Sequence, residues 1–334
     1  MRFAVVGAGA IGGYLGARLA GVGEDVTFIA RGANLTAIRA HGMRLIEEDG
    51  TQVDARAAKA TDRPAEAGPH DVVLLTLKAH QVGAIAPVLQ QLCHETTSIV
   101  TMQNGIPWWY FHRHGGEHEG KPIVSADPDG VIARSIDPAR VIGSVVYPAA
   151  NLIEPGVVQV VEGNRFSLGE LDGATTPRIQ AIAASLIKAG FKAPITRDIR
   201  AEIWLKLWGN LSFNPISALT HATLGDICEF PLTRALATQM MSEAQAIAGK
   251  LGVSFKVSIE KRIAGAQAVG AHKTSMLQDV EQGRPLELQA VVGAVVELGR
   301  LTGTATPAID AVYACAALLA STLNQQHGRL KVIA

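Results

Sequence analysis

The sequence has little of what extracellular, membrane or nucleic-acid-binding proteins need. Only three residues are cysteine (Cys93, Cys228 and Cys315), and no C-x-x-C pair occurs. An odd number without such spacing excludes a disulfide framework and favours buried free thiols in a reducing cytoplasm. Lysine plus arginine number 30, as do aspartate plus glutamate. The resulting zero net charge gives no reason to expect a nucleic acid or an acidic membrane as partner.

Long apolar runs are also missing. The N-terminal run is short and belongs to the first predicted strand, so we expect no secretory leader. The most apolar late stretch, residues 311–323, is shorter than a membrane span requires. Hydrophobic residues nevertheless make up 48% of the 334 residues. This composition is typical of a chain that folds into two domains with substantial cores.

The most informative segment is the N-terminal sequence MRFAVVGAGAIGG, in which a short strand leads through a glycine-rich turn into a helix. The first glycine permits the tight turn, the second lets backbone approach phosphates, and the third lets the helix pack on the strand. Free N–H groups at the helix N-terminus favour an anion there. We therefore predict a dinucleotide site at Gly7, Ala8, Gly9, Ala10, Ile11 and Gly12; the alternative is a glycine-rich turn without a ligand.

The next strand indicates which dinucleotide would bind. An NAD-binding unit usually ends this strand, here residues 25–30, with an acidic residue that binds the ribose 2′-hydroxyl. This chain has Ala30 followed by Arg31. A guanidinium can pair with a 2′-phosphate, which a carboxylate would repel. We infer NADP(H) as the cofactor; the alternative is that Arg31 is a solvated surface side chain.

Strand and helix patterns alternate up to residue 197, and the pattern is almost entirely helical afterwards. Buried strands are predicted at 71–77 and 98–102, later and partly antiparallel strands at 141–146, 157–161 and 165–168, a short strand at 193–196, a hairpin at 43–57, and helices at 85–92 and 177–189. We predict an α/β dinucleotide-binding domain over residues 1–197 and an all-helical domain over residues 198–334. Ligands of such sheets bind beyond the carboxyl ends of the strands, so we expect the substrate between that edge and the helical domain.

Polar side chains follow two of the buried strands. Lys78 comes after DVVLLTL, and Asn104 comes after SIVTMQ. Both are therefore predicted to point toward the cofactor cleft. The structural alternatives are an ordinary lysine at a strand end and a common Asn-Gly turn.

A polar stripe marks the first helix of the second half, residues 199–214. Lys206, Asn210 and Asn214 recur every four residues and so share one helix face. The other faces are apolar, so the helix should be largely buried and its stripe should need partners. A substrate cleft would supply them; a narrow solvent-facing stripe is the alternative. Pro215 is predicted to end or kink this helix.

Two later polar residues have structural interpretations that their spacing alone favours. Ser275 with Gln278 fits a helix capping box. Glu287 follows Pro285 at the start of a helix, where a carboxylate complements the dipole. A cluster of histidines (His112, His114 and His118) lacks regular ligand spacing, so a surface loop is a better interpretation than a metal site.

Taken together, these segments resemble the ketopantoate reductase (2-dehydropantoate 2-reductase) family over nearly the whole chain. The matching segments are GAGAIGG, TLKAHQV, QNG, IRAEIWLKLWGNLSFNPISAL and TSMLQD, with Glu287 twelve residues after Ser275. The resemblance implies a Rossmann-type α/β N-terminal domain with an all-helical C-terminal domain. It also implies a cytoplasmic oxidoreductase that uses NADPH to reduce ketopantoate to pantoate, in pantothenate biosynthesis.

The resemblance also implies roles for individual residues. Lys206 matches the general acid, and Glu287 matches the glutamate near that lysine and the cofactor ribose. The substrate would be held by Asn104, Asn210, Asn214 and Ser275. The cofactor would contact the glycine-rich turn, Arg31, Lys78, Asn104, Glu287 and the backbone of Ala149.

Two departures from the family pattern leave the substrate open. Residues 108–121 are longer and more aromatic than the usual segment, and His272 stands where relatives often carry asparagine. Trp108, Trp109 and Tyr110 beside the site would suit a bulkier 2-oxo acid; they could equally be packing the loop. A non-enzymatic NADP(H) sensor is a further alternative, although a sensor needs no proton donor. The expected partners are a small 2-oxo acid and no metal, with a homodimer left open.

Overall fold

The computed structural model describes residues 1–56 and 58–328. These residues form eleven strands: β1 (Arg2–Val6), β2 (Asp25–Ile29), β3 (Met43–Ile46), β4 (Gln52–Ala55), β5 (Lys59–Thr61), β6 (His70–Leu75), β7 (Cys93–Thr101), β8 (Val141–Val146), β9 (Ala149–Glu154), β10 (Val157–Glu162) and β11 (Phe166–Glu170). They belong to a first unit that comprises Met1–Gln103, Trp108–Pro122 and Asp129–Glu202.

The same described residues form thirteen α-helices: α1 (Ala10–Gly21), α2 (Gly32–His41), α3 (Pro64–Ala67), α4 (Ala79–Ile85), α5 (Val131–Ser135), α6 (Pro177–Lys188), α7 (Ile199–Thr220), α8 (Leu224–Glu229), α9 (Pro231–Lys250), α10 (Ile259–Val269), α11 (Ser275–Glu281), α12 (Ala294–Leu301) and α13 (Pro307–Gln325). Ala86–Leu92 and Pro138–Arg140 are 3-10 helical, and Gln289–Gly293 is a π-helical segment, called the π-turn below.

A seven-stranded sheet in the order β11-β8-β7-β6-β1-β2-β5 is the framework of the first unit. All neighbouring pairs are parallel except β11 and β8. The central strands are buried on both faces, as the continuous apolar runs predict. The α/β class of the N-terminal part and the helical class of the C-terminal part are both confirmed.

A smaller sheet in the order β4-β3-β10-β9 packs beside α1 in the same unit. Its β3–β4 pair is the hairpin predicted at 43–57, of which residue 57 lies outside the described residues. A Cβ atom on Gly13 of α1 would lie 2.6 Å from Val158 of β10, so helix and sheet meet closely. β5 and β9 were not predicted, because short strands with exposed residues carry little apolar pattern.

Several predicted elements differ from the observed ones. Residues 193–196 form only an isolated bridge, between Leu168 and Ile195, rather than a strand. The predicted helix 85–92 is a 3-10 segment, in which Pro87 removes an N–H donor. Pro215 was predicted to end or kink its helix. It does not end the helix, because α7 continues to Thr220. Of the three thiols expected to be buried, Cys228 is buried, but Cys93 is half-buried and Cys315 is exposed.

The second unit comprises Asn104–Pro107, Ile123–Pro128 and Ile203–Ala334, of which residues 329–334 lie outside the described part. Its core is organised around α7. Trp204 and Trp208 are fully buried there, and the Trp208 indole stacks on Phe255 and donates to the Met241 carbonyl at 2.6 Å. The chain passes between units within α7, after Glu202. The domain boundary predicted at 197/198 stays a prediction.

Helix α13 is long and apolar enough to pass for a membrane span by length and composition alone. The stretch 311–323 was too short for a span, but the helix that forms has 19 residues. An 18-residue stretch of this helix has a mean hydropathy of 1.2, and 22% of that stretch is buried. One such helix is weak grounds for a membrane assignment, because core helices of soluble proteins can meet the same criterion.

The aromatic segment 108–121 is anchored in the first unit. Trp109, Tyr110 and Phe111 are all buried, and the Trp109 indole donates to Thr101 Oγ1 at 2.9 Å. The Arg200 guanidinium donates to the carbonyls of Tyr110, His112 and Leu171 at 2.6–2.7 Å. These contacts support the interpretation that the aromatic side chains of 109–111 pack the segment.

Replacing Arg200 should therefore destabilise the protein. Arg200→Ala leaves three carbonyl groups without their donor, which should lower the free energy of unfolding by about 2–4 kcal/mol. Urea unfolding followed by circular dichroism measures the change. The exposed Arg197 is the matched control, and Arg197→Ala should change the same quantity by less than about 0.5 kcal/mol. Equal small effects of both variants would contradict the anchoring role.

Candidate active site

The glycine-rich turn has the geometry of a phosphate-binding loop. Gly7 has φ +104°, and a Cβ on Gly12 would lie 2.0 Å from the Gly7 carbonyl oxygen, so neither position accommodates a side chain. A Cβ on Gly9 would meet nothing within 4 Å, which leaves open space beside the backbone. Gly9 caps α1 without a side-chain hydrogen bond, and the first turn holds no acidic residue. The first N–H groups of α1 are therefore suited to an anionic ligand.

Two side chains that sequence reasoning missed hold this turn in shape. Thr76 Oγ1 donates to the Gly7 carbonyl at 2.7 Å. Asn34 Nδ2 donates to the Ala8 carbonyl at 2.5 Å, while Asn34 Oδ1 accepts from the Gly156 N–H at 2.6 Å. Their positions gave a signal: Thr76 directly follows β6, and Asn34 lies in the first turn of α2. The turn is thus fixed from the main sheet and from the smaller sheet.

Topology brings most of the predicted cofactor residues to one edge. The strands β6, β1 and β2 are adjacent and parallel, so their carboxyl ends lie together. Gly7 follows β1, Arg31 caps α2 after β2, and Lys78 caps α4 after β6. Ala149, the first residue of β9, lies in the smaller sheet instead. That sheet packs against α1, the helix that follows the glycine-rich turn.

The second unit contains a hydrogen-bonded chain of three side chains. Lys206 Nζ donates to Asn104 Oδ1 at 2.6 Å, and Asn104 Nδ2 lies 3.5 Å from Glu287 Oε2. The amide of Asn104 therefore stands between the cation and the carboxylate. It accepts from the first and faces the second as a donor, which fixes the orientation of all three groups.

The environment of Lys206 changes its acidity. Burial lowers the pKa of Lys206 from 10.5 to about 8, because removal from water disfavours the charged form. The Glu287 carboxylate acts in the opposite sense and raises the pKa of Lys206. The result is a cation near neutral pH that gives up its proton more readily than an exposed lysine does.

A cleft lined by amide, hydroxyl, carboxylate and apolar side chains lies beside this chain of hydrogen bonds. Asn214 Nδ2 lies 3.5 Å from Ser275 Oγ, so α7 and α11 face each other here. The cleft is lined by Asn104, Asn210, Asn214, Ser275, Met276, Asp279, Glu287 and Val291. Its amide and hydroxyl groups can hydrogen-bond the carboxylate and hydroxyl groups of a small molecule. Of its two carboxylates, Asp279 is paired with Arg284, and Glu287 faces the Asn104 amide.

The polar residues spaced every four positions on α7 lie on one face of the helix, as predicted. Asn210 and Asn214 line the cleft, and Lys206 reaches Asn104 on the same wall. The remaining helix faces are held by buried apolar side chains such as Leu207 and Leu211. The helix is therefore locked in rotation, and the polar stripe keeps its direction.

The capping interpretation of Ser275 is wrong. Thr274 is the N-cap of α11, and its hydroxyl accepts from the Leu277 N–H. Ser275 is the first helical residue, and its hydroxyl lies at the cleft. This shift by one residue frees Ser275 for a binding role.

Three lining residues were missed from the sequence: Met276, Asp279 and Val291. Helical spacing could have found two of them, since Asp279 lies four residues after Ser275 and Val291 four after Glu287. Asp279 is buried and accepts from Arg284 Nε at 2.8 Å.

The histidine cluster has local partners. His118 is buried and lies 3.2 Å from the Glu117 carboxylate, and Lys121 Nζ lies 3.1 Å from its other ring nitrogen. Over residues 1–56 and 58–328, no three His, Cys, Asp or Glu side chains form a group that could hold a metal ion.

The buried ammonium should cost folding stability, and its removal should recover it. The unfolded chain binds this proton more tightly, so protonated Lys206 destabilises the fold below pH 8, and stability rises between about pH 8 and 10.5. Lys206→Met should gain on the order of 1–3 kcal/mol in unfolding free energy at pH 7. It should also lose this alkaline rise.

Urea unfolding at pH 7 and pH 10 measures both effects. Lys256, which is exposed, is the matched control, and Lys256→Met should leave stability and its pH dependence unchanged. A Lys206→Met variant that is no more stable than the parent at pH 7 would show that the ammonium carries no such cost.

Comparisons with known proteins cover nearly the entire chain. The family model "Ketopantoate reductase PanE/ApbA" matches residues 3–173, and "Ketopantoate reductase PanE/ApbA C terminal" matches residues 198–320. A 2-dehydropantoate 2-reductase from Mesorhizobium japonicum is 54% identical over 321 residues, which is 96% of this chain and 98% of that protein.

Solved structures agree with these matches. A crystal structure from Ralstonia solanacearum MolK2 has a TM-score of 0.92 and 40% identity, and covers 96% of this chain and 98% of its own. The 2-dehydropantoate 2-reductase of Geobacter metallireducens GS-15 has a TM-score of 0.82 and 30% identity, with coverage of 95% and 99%.

Proposed function

The chain belongs to the ketopantoate reductase family, and we propose that it uses NADPH to reduce 2-dehydropantoate (ketopantoate) to pantoate, with Lys206 as the proton donor. It is an oxidoreductase acting on a C=O group. The observation that carries the proposal is the chain of Lys206, Asn104 and Glu287 beside an amide-lined cleft. The product belongs to pantothenate biosynthesis.

Lys206 has two tasks in this reaction. NADPH, when bound, supplies a hydride to the keto carbon, and negative charge develops on the ketone oxygen. The ammonium of Lys206 stabilises that charge and then transfers a proton to the oxygen. Because the pKa of Lys206 is about 8, the ammonium form dominates at neutral pH and the proton remains transferable. The reduction rate should therefore decline above about pH 8.

The other cleft residues bind and orient. Asn104 receives a hydrogen bond from Lys206 and faces Glu287, so these two side chains direct the ammonium. Asn210, Asn214 and Ser275 offer amide and hydroxyl donors to the carboxylate and hydroxyl of the substrate. None of the three carries a charge that would compete with Lys206.

The first unit would hold the cofactor. Its pyrophosphate fits the open backbone at Gly9 and the uncapped start of α1. Arg31, which is exposed at the start of α2, would pair with the 2′-phosphate. Lys78 and Ala149 complete the cofactor contacts proposed for this unit.

Two alternatives have weaker support. A bulkier 2-oxo acid was suggested by the aromatic segment, but Trp109 and Tyr110 are buried within the first unit. An NADP(H) sensor would not need a lysine whose pKa is lowered by burial beside amides. We also propose a cytoplasmic location and a homodimer.

Turnover with a panel of 2-oxo acids tests the function. The purified full chain should oxidise NADPH with ketopantoate faster than with any bulkier 2-oxo acid, as followed by loss of NADPH absorbance. Lys206→Ala should lower kcat by roughly 10²–10⁴ and keep NADPH binding. Lys256→Ala is the control and should retain full turnover.

Each remaining outcome of this panel contradicts a different statement. Turnover with other 2-oxo acids but not with ketopantoate would contradict the proposed substrate. The absence of turnover with every acid would favour the sensor. Near-normal turnover of Lys206→Ala would exclude its role as the proton donor.

Arg31 should determine the choice between the two nicotinamide cofactors. Arg31→Ala removes the guanidinium that pairs with the 2′-phosphate, so NADPH binding should weaken by about 1.5–3 kcal/mol. NADH lacks this phosphate, and its binding should be nearly unchanged. Fluorescence titration with both cofactors measures the difference, with the exposed Arg56→Ala as control. Equal losses for NADPH and NADH would refute the assignment.

A further inference from the structure

The residue after Asn104 makes an unusually close backbone contact within the second unit. Gly105 has φ +92°, a conformation that side chains with a Cβ rarely adopt. A Cβ at this position would lie 2.2 Å from the Ala290 carbonyl oxygen, 2.4 Å from its carbon and 2.9 Å from the Val291 nitrogen. All three are backbone atoms, so no side-chain rotation can make room.

The contact falls on the π-turn, directly after Glu287. A π-helical turn inserts an extra residue into a helix and occurs frequently at functional sites. Here the Ala290 carbonyl accepts the Ile106 N–H at 2.9 Å, while the Glu287 carbonyl accepts the Val291 N–H at 3.3 Å. The segment that carries Asn104 and the segment that carries Glu287 are thus joined backbone to backbone.

The far side of the π-turn is also supported. Tyr313 Oη on α13 donates to Gln289 Oε1 at 2.8 Å. Ala290, Val291 and Val292 are all buried. The π-turn therefore has little freedom to retreat if the segment before it is pushed outward.

We propose that Gly105 is a positioning residue of the active site: its missing side chain lets the backbone beside Asn104 rest on the π-turn, so that the Asn104 amide sits between Lys206 and Glu287. This inference rests on the proposed function and deepens it. It assigns to the glycine of the QNG segment a task separate from turn formation, since an ordinary tight turn needs positive φ but not contact with Ala290.

A Cβ at residue 105 should act on chemistry through Lys206. Displacing Asn104 removes the acceptor that lies 2.6 Å from Lys206 Nζ. A hydrogen bond to the charged form stabilises that form, so its loss lowers the pKa of Lys206 further. The ammonium is then titrated at lower pH, and the fixed orientation of the proton donor is lost as well.

Gly105→Ala in the full chain tests the inference. We expect kcat with ketopantoate to fall about 10–100-fold, the alkaline limb of the pH–rate profile to move to lower pH, and the Kd for NADPH to stay within about twofold. The matched control is Gly252→Ala: Gly252 lies in the same unit and has φ +81°, but a Cβ there meets nothing within 4 Å. The control should lose stability through the strained φ yet keep kcat and the pH profile.

Other results would overturn the inference. The inference fails if Gly105→Ala has the same kcat and the same alkaline limb of the pH–rate profile as Gly252→Ala. If Gly105→Ala does not fold, Tyr313→Phe removes the hydrogen bond to Gln289 that supports the π-turn and adds no atom; it should lower kcat several-fold and move the limb in the same direction, and an unchanged profile would refute the proposal. A parent enzyme that is inactive on ketopantoate would instead contradict the proposed function, so the two failures are distinguishable.

Discussion

A desolvated ammonium that donates to an amide, which in turn faces a carboxylate, is the constraint on which the rest of the site depends. Lys206 must lose water for its proton to become transferable near neutral pH, but a buried cation without partners would be unstable or uncharged. Asn104 supplies a neutral acceptor at 2.6 Å, and Glu287 supplies negative charge at a greater remove. This arrangement favours the charged form of Lys206 and so partly offsets the cost of its burial.

The surrounding fold maintains this balance through rigid packing. Two fully buried tryptophans, Trp204 and Trp208, prevent α7 from rotating about its axis. On the opposite wall, Thr274 caps α11 and so presents Ser275 to the cleft. The glycine-rich turn is also held in place, because Thr76 and Asn34 donate hydrogen bonds to its carbonyl groups. In each case, a residue with no proposed part in binding or catalysis holds in position a residue that is proposed to bind or react.

Sequence patterns predicted the framework better than the details of the site. Continuous apolar runs located the buried strands such as β6, because burial on both faces leaves a strong local signal. The spacing of Lys206, Asn210 and Asn214 likewise placed these residues on one helix face. The cap of α11 was misassigned by one residue because the adjacent Thr274 and Ser275 are both good capping residues, and local propensity does not separate them. The contact of Gly105 with Ala290 joins residues far apart in sequence, so no local pattern could reveal it.

The membership of Asn104–Pro107 in the second unit has a consequence for how such a protein can diversify. These residues come immediately after β7 in the chain, almost a hundred positions before the helical half begins. A gene fragment encoding only the helices would therefore lack the partner of its own lysine. Recombination that exchanges the helical half between relatives must carry a compatible QNG segment with it, so the two stretches should change together rather than as separate modules.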